Sequence, residues 1–128
     1  MNYFICALGA VRAGIPAERT ERIIPVNRAQ DSVYETRDRE AFVSLPLLFR
    51  LTDLSAPHGV VLKSQEGRDV KTTLLTPKID MDLAIQEDKI HALPLAFSGL
   101  FECFRGAYFD SQGVILILDP DKLAESAQ

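Results

Sequence analysis

The apolar residues of this chain come in short runs, each cut off by glycine, proline or a cluster of charge. That pattern predicts strands joined by turns, because branched and aromatic side chains pack well on a pleated surface and turn residues end each run. The strongest run is GVILILD at 113–119, apolar on both faces and so expected at the centre of a sheet. At 78–86, KIDMDLAIQ alternates. Ile79, Met81, Leu83 and Ile85 fall on one face and Asp80, Asp82, Ala84 and Gln86 on the other, which predicts a half-buried strand.

The same reading places strands at 3–9 (YFICALG) and 12–16 (RAGIP), close enough to form a hairpin. One charged turn at 17–22 puts Glu18 and Arg22 four apart, as on a turn of helix, before β character resumes at 23–26. Residues 27–40 are polar without a period and are expected as a surface loop. AFVSLPLLFRL at 41–51 reads as a buried strand, with Pro46 demoting its middle to an edge or a bend. GVVLK (59–63) and VKTTLL (70–75) flank a glycine-containing turn. FSGLFECFRGAYF (97–109) reads as a strand with a bend or bulge. In LDPDKLAES, Asp119 suits a helix cap, Pro120 the first helical position and Asp121 the positive end of the helix dipole, so a terminal helix of about two turns is expected. LPLLF at 45–49 is echoed by LPLAF at 93–97, a five-residue match that is more often coincidence than a repeat, though two similar halves would produce it.

With 128 residues the chain fits one domain, and it is long enough to bury a core without disulfides or metal. The net charge of −4 and the lack of a basic stripe argue against nucleic acid or an anionic membrane as partner. No apolar run reaches the ~18 residues of a membrane span. The opening MNYFICALGAVRAG has no basic stretch before its apolar run, so it reads as a strand and not a signal peptide. Cys6 and Cys103 sit in apolar stretches like small core residues of a reducing compartment, and the protein is placed in the cytosol.

Catalysis needs convergent polar groups, and each candidate has a plainer role. Neither cysteine adjoins a glycine-rich turn or helix start that would activate it toward His58 or His91. Asp80 and Asp82 lie on the polar face of a strand and Asp119 caps a helix, a pattern unlike a calcium loop. His91 is expected as an exposed strand-end side chain. Phe97, Phe101, Phe104, Tyr108 and Phe109 have only Arg105 as nearby positive charge, so they read as core and not as a base-stacking platform. No nucleotide, metal or nucleophile motif occurs. A compact all-β chain without such chemistry is most simply a non-catalytic binding module with no cofactor.

The order of these pieces resembles the CheW-like domains, the coupling proteins of bacterial chemotaxis. YFICALG followed by AGIPAERTERIIP resembles their opening strands, FVSLPLLFRL the strand after them, and VKTTLLTPKIDMDLAIQEDKIHALP their central stretch. FRGAYFDSQGVILILDPDKLAE resembles their ending. Thr20 and Arg22 stand where that family has valine and glutamate, and the 27–41 segment is charged where many members carry a glycine- and arginine-bearing motif. The resemblance implies an all-β fold of two small five-stranded SH3-like barrels packed together over 1–128, with a short C-terminal helix. It also implies a non-enzymatic adaptor, bridging the cytoplasmic tips of chemoreceptors and the regulatory domain of a CheA-type histidine kinase. On that footing Thr20, Arg22 and Ile24 are candidates for a partner interface, against the plainer reading of Ile23 and Ile24 as core and Glu18–Arg22 as a solvated pair. Ile79, Met81, Asp82 and Leu83 form a second candidate, a strand edge able to take an added strand. The alternative function is a protein- or peptide-binding β-barrel outside chemosensing.

Overall fold

The computed structural model describes residues 1–26, 30–64, 70–93 and 102–126. In chain order these form β1 (Asn2–Leu8), β2 (Val11–Pro16), β3 (Thr20–Pro25), β4 (Tyr34–Arg37), β5 (Glu40–Ser44), α1 (Leu45–Leu48), β6 (His58–Leu62), β7 (Lys71–Thr76), β8 (Ile79–Ala84), β9 (Phe104–Asp110), β10 (Gly113–Leu118) and α2 (Pro120–Ser126). Single 3-10 turns lie at Ala17–Arg19 and Glu87–Lys89. The strands make two five-stranded sheets, ordered β8-β1-β2-β10-β9 and β3-β6-β7-β5-β4.

The two sheets follow one plan. In the second sheet an edge strand (β3) is followed by a hairpin (β4–β5), a short helix (α1) and another hairpin (β6–β7). In the first sheet the same succession is β8, β9–β10, α2 and β1–β2, permuted so that the last hairpin comes first in the chain. Each sheet holds one parallel pair, β2 with β10 and β7 with β5. The register carries the equivalence to single residues. Ile24 faces Gly59 as Leu83 faces Tyr3, Arg22 faces Val61 as Met81 faces Ile5, and Thr20 faces Leu62 as Ile79 faces Cys6. Past these edge strands the Val26 N–H bonds the Pro57 carbonyl at 2.9 Å, and the Ile85 N–H bonds the Met1 carbonyl at 2.9 Å.

One buried cluster draws on both sheets and both helices. Cys6, Leu8, Ala13 and Ile15 meet Val43, Val60, Leu62 and Leu74, with Leu48 of α1 and Leu123 of α2. A smaller cluster of Tyr3, Ile5, Ile85, Ile115 and Ile117 fills the other side of the first sheet. That sheet closes on itself where His91, beyond β8, exchanges two 2.8 Å backbone bonds with Ala107 of β9. Gly106 permits the approach, since a Cβ there would stand 2.7 Å from the His91 carbonyl oxygen. In the second sheet Gln30, beyond β3, does the comparable work, its Nε2 donating to the carbonyls of Ser32, Val33 and Phe42.

Most expected strands are present, including the first hairpin, the β6–β7 hairpin and a central β10 flanked by β2 and β9. Asp119 caps α2 as expected, its Oδ1 accepting from the Asp121 N–H at 3.1 Å and the Lys122 N–H at 3.3 Å. Three expectations are corrected. Residues 45–48 are helical, because Ser44 Oγ accepts from the Leu47 N–H at 3.3 Å and Pro46 fits the first helical turn. The polar 27–40 stretch contains β4, paired with β5 from Tyr34–Val43 to Arg37–Glu40. Thr20–Pro25 is strand, so the Glu18–Arg22 spacing is not a helical turn. The echo LPLLF/LPLAF does not mark equivalent places, because its first copy follows β5 and its second falls between β8 and β9, mostly outside the described residues. Among the aromatics expected in the core, Phe104 is buried but Phe109 is 61% exposed, while Phe97 and Phe101 lie outside the described residues.

Candidate partner-binding surfaces

The seven residues singled out from sequence lie on two strands, and the strands are counterparts. β3 carries Thr20, Arg22 and Ile24, and β8 carries Ile79, Met81, Asp82 and Leu83. Each is the edge of its sheet, so one side of its backbone carries no ladder partner. The structure does not merge them into one patch, since they bound different sheets. They share the same sequence of exposure along their length, half-buried at the first and fifth residues and exposed at the other four.

Both edges are bulged at the same point. Glu21 is the extra residue between the Thr20–Leu62 and Arg22–Val61 pairs, and Asp80 is the extra residue between Ile79–Cys6 and Met81–Ile5. A bulge shifts the side-chain alternation by one. Ile79 therefore packs against the cluster shared by both sheets, while Leu83 packs against the cluster inside the first sheet. This corrects the expectation that Ile79, Met81, Leu83 and Ile85 share one buried face. Met81 is left 44% exposed. Ile23 on the counterpart strand is 40% exposed, so it is not core, and it adds to the β3 surface a residue that its β-branched type alone does not reveal.

Charge differs between the two edges. Arg22 is exposed on β3, and the Glu21 carboxylate is engaged by Lys71 at 2.9 Å, whose bond holds its carboxyl below the ordinary range. β8 instead exposes Asp80 and Asp82.

A polar cluster closes one end of the first sheet. Tyr3 Oη donates to Glu87 Oε1 at 3.0 Å, and Arg105 donates to Tyr3 Oη at 2.6 Å and to Glu87 Oε2 at 2.8 Å. Arg105 is the extra residue of a β9 bulge, between the Gly106–Ile117 and Phe104–Leu118 pairs. Burial pushes the Tyr3 phenol up, and the Arg105 bond pulls the Glu87 carboxyl down. Above the cluster lies a hollow of about 290 Å³, with Glu18, Arg19, Glu87, Arg105, Asp119 and Asp121 on its walls. At the matching end of the second sheet lies a wider hollow of about 460 Å³.

Neither cysteine offers a nucleophile. Both are buried, and burial pushes both thiols up to about 12. Among the described residues no three His, Cys, Asp or Glu side chains gather as a metal site. His91 is exposed at its bridge, with its ring centroid 5.9 Å from that of Phe109. Among the described residues no helix is long and apolar enough to cross a membrane.

No family model matches the sequence, and no curated protein matches it. Among solved structures, the scaffolding protein TtCheW from Thermoanaerobacter tengcongensis is similar to this chain with a TM-score of 0.70 at 11% identity, over 91% of this chain and 82% of that one. The motif order along the sequence and the likeness of the folded chains point the same way: with two five-stranded sheets and few helices, this chain has the CheW-like fold.

Proposed function

We propose that the protein is a non-catalytic adaptor of chemotaxis or motility signalling, a cytoplasmic scaffold that bridges chemoreceptor tips and the regulatory domain of a CheA-type histidine kinase. The observation that carries the proposal is a CheW-like fold spanning 91% of the chain. In this reading the chain works as a single domain of two intertwined halves, without a cofactor. Its contact surfaces are β3, through Thr20, Arg22 and Ile24, and β8, through Ile79, Met81, Asp82 and Leu83. Exposed apolar residues beside exposed charge on an edge strand suit such contacts, because apolar burial supplies affinity and charge sets orientation and on-rate.

The test is calorimetry with the regulatory domain of a CheA-type kinase from the same organism. Saturable binding is expected, weakened about ten-fold or more by Arg22→Glu or Asp82→Lys, as close charge pairs at interfaces are worth that much. No heat of binding from folded protein would overturn the kinase-bridging role. A second reading, a protein- or peptide-binding module outside chemosensing, draws on the open edge of β8, which can receive an added strand.

A further inference from the structure

The strand register extends the equivalence of the two sheets to a pair of cations. Val61 faces Thr73 as Ile5 faces Gly14, so Lys71 on β7 and Arg12 on β2, each two residues earlier, hold the same place. Both stand two strands in from a bulged edge, β3 in one sheet and β8 in the other. The extra residue of each bulge is an acid, Glu21 in β3 and Asp80 in β8.

The two cations are engaged differently. Lys71 Nζ lies 2.9 Å from Glu21 Oε2, so the acid of the β3 bulge has a cation from its own sheet. Arg12 instead bonds Asp110 at the end of β9, whose Oδ1 also accepts from the Gln112 N–H at 2.8 Å. Among the described residues Asp80 is left exposed with no cation bonded to it, and so is Asp82. Both acids lie on an open edge. From Met81 to Ala84 the ladder with β1 is regular, and no described backbone group bonds the other flank. Unpaired edge groups are a template for an added strand, and the two acids decide which strand. A second β8 laid against this one sets like charge beside like, which disfavours pairing. A strand bearing cations supplies to β8 what Lys71 supplies to β3, and it covers Met81, which is 44% exposed.

We infer that the Met81–Ala84 edge of β8 receives an extended segment of a partner protein that carries lysine or arginine toward Asp80 and Asp82. The inference rests on the reading of β8 as an open edge for an added strand, and adds the chemistry of what binds there. Ladder bonds supply affinity, while the cations fix orientation and speed the encounter.

The probe is a peptide blocked at both ends, Thr-Lys-Val-Lys-Val-Lys-Thr, titrated at low salt into the isotope-labelled full chain and followed by amide NMR shifts. Saturable shifts are expected at Met81, Asp82, Leu83 and Ala84, weakening as salt is added. The same peptide with glutamine in place of lysine should bind about five-fold or more weakly, because its cross-strand charge pairs are lost. Asp80→Asn combined with Asp82→Asn should remove the preference for lysine, while Glu21→Gln, at the acid that Lys71 already engages, should leave it unchanged. Equal binding of the two peptides at these amides would overturn the cationic partner and keep the open edge. No shifts with either peptide would overturn both. Lysine-dependent shifts that leave 81–84 unmoved would overturn the inference as diffuse attraction to an acidic chain. Self-association in sedimentation that Asp82→Lys abolishes would overturn it as well, by giving the edge to a second copy of this chain.

Discussion

Leu48 and Leu123 hold the same place in the two halves of the molecule, each four residues past a helix-capping side chain, and both enter the buried cluster that joins the sheets. Leu123 is 0% exposed and Leu48 8% exposed. The helices that carry them are too short to persist alone, so their contribution comes from this packing.

Leu123→Ala is therefore expected to destabilise the fold by roughly 3–5 kcal/mol and Leu48→Ala by roughly 2–3 kcal/mol, the range for deleting a buried leucine side chain. Because one cluster draws on both sheets, each variant should still unfold in a single transition in denaturant, seen alike by near-UV and far-UV circular dichroism. Two separated transitions would show that the halves fold independently.

The Tyr3–Arg105–Glu87 cluster predicts a specific pH dependence. The Glu87 carboxyl lies below its usual value of 4.5 in the folded state, because Arg105 bonds its charged form. The stability it contributes is present above that usual value and is lost as pH falls through and below it. The stability difference between wild type and Glu87→Gln should be constant above about pH 5 and shrink on acidification. Tyr3→Phe, which keeps the ring but removes the phenol oxygen, should cost about 1–2 kcal/mol at neutral pH, the size of a partly charge-assisted hydrogen bond.

Arg50 sits at φ 60°, just after α1, in the position where helices commonly end on glycine. The Arg50 N–H bonds the Leu47 carbonyl and the Leu51 N–H bonds the Pro46 carbonyl, closing the helix in a left-handed turn. A side chain there is strained by about 1–2 kcal/mol. Arg50→Gly is expected to stabilise the protein by about 0.5–1 kcal/mol after the greater freedom of glycine in the unfolded chain is counted. Chemical denaturation measures it.

Cys6 and Cys103 are buried, with thiols pushed up to about 12. At about pH 8 an aromatic disulfide reagent should modify neither within the time in which it modifies both in denaturant, because the thiolate is the reactive form. Fast reaction of either in the native state would place it at the surface.

How much of this was legible in the sequence depended on whether each element is specified locally. The run 113–119 is strand-forming at every position and packs on both faces, so its central place in a sheet could be read directly. Asp119, Pro120 and Asp121 announce a helix start by their own chemistry. The same signal stood at Ser44 and Pro46 but was masked by the apolar residues around it. β4 is polar because much of it faces solvent, and only pairing with β5 makes it a strand. The bulges at Glu21 and Asp80 have no sequence signature, so the single buried face read for 79–85 breaks only once pairing with β1 fixes the register. Of the seven surface candidates, the four at 79–83 were read as a strand edge, while Thr20 and Arg22 were read in a charged turn, and that the two strands are counterparts was hidden by permutation and by differing side chains.

The permuted order of the first sheet has a consequence for how the chain is made. Residues 20–76 hold every strand of the second sheet without interruption, so its strand pairings can form as soon as they leave the ribosome. The opening hairpin emerges earlier still, yet its neighbours β8 and β10 are synthesised last. Until then β1 and β2 stand with both flanks open, and the long loop they close makes their completion slow. The opening hairpin is thus the part of these two sheets that waits longest for partners, and it is the segment of the fold most in need of protection from neighbouring chains during synthesis.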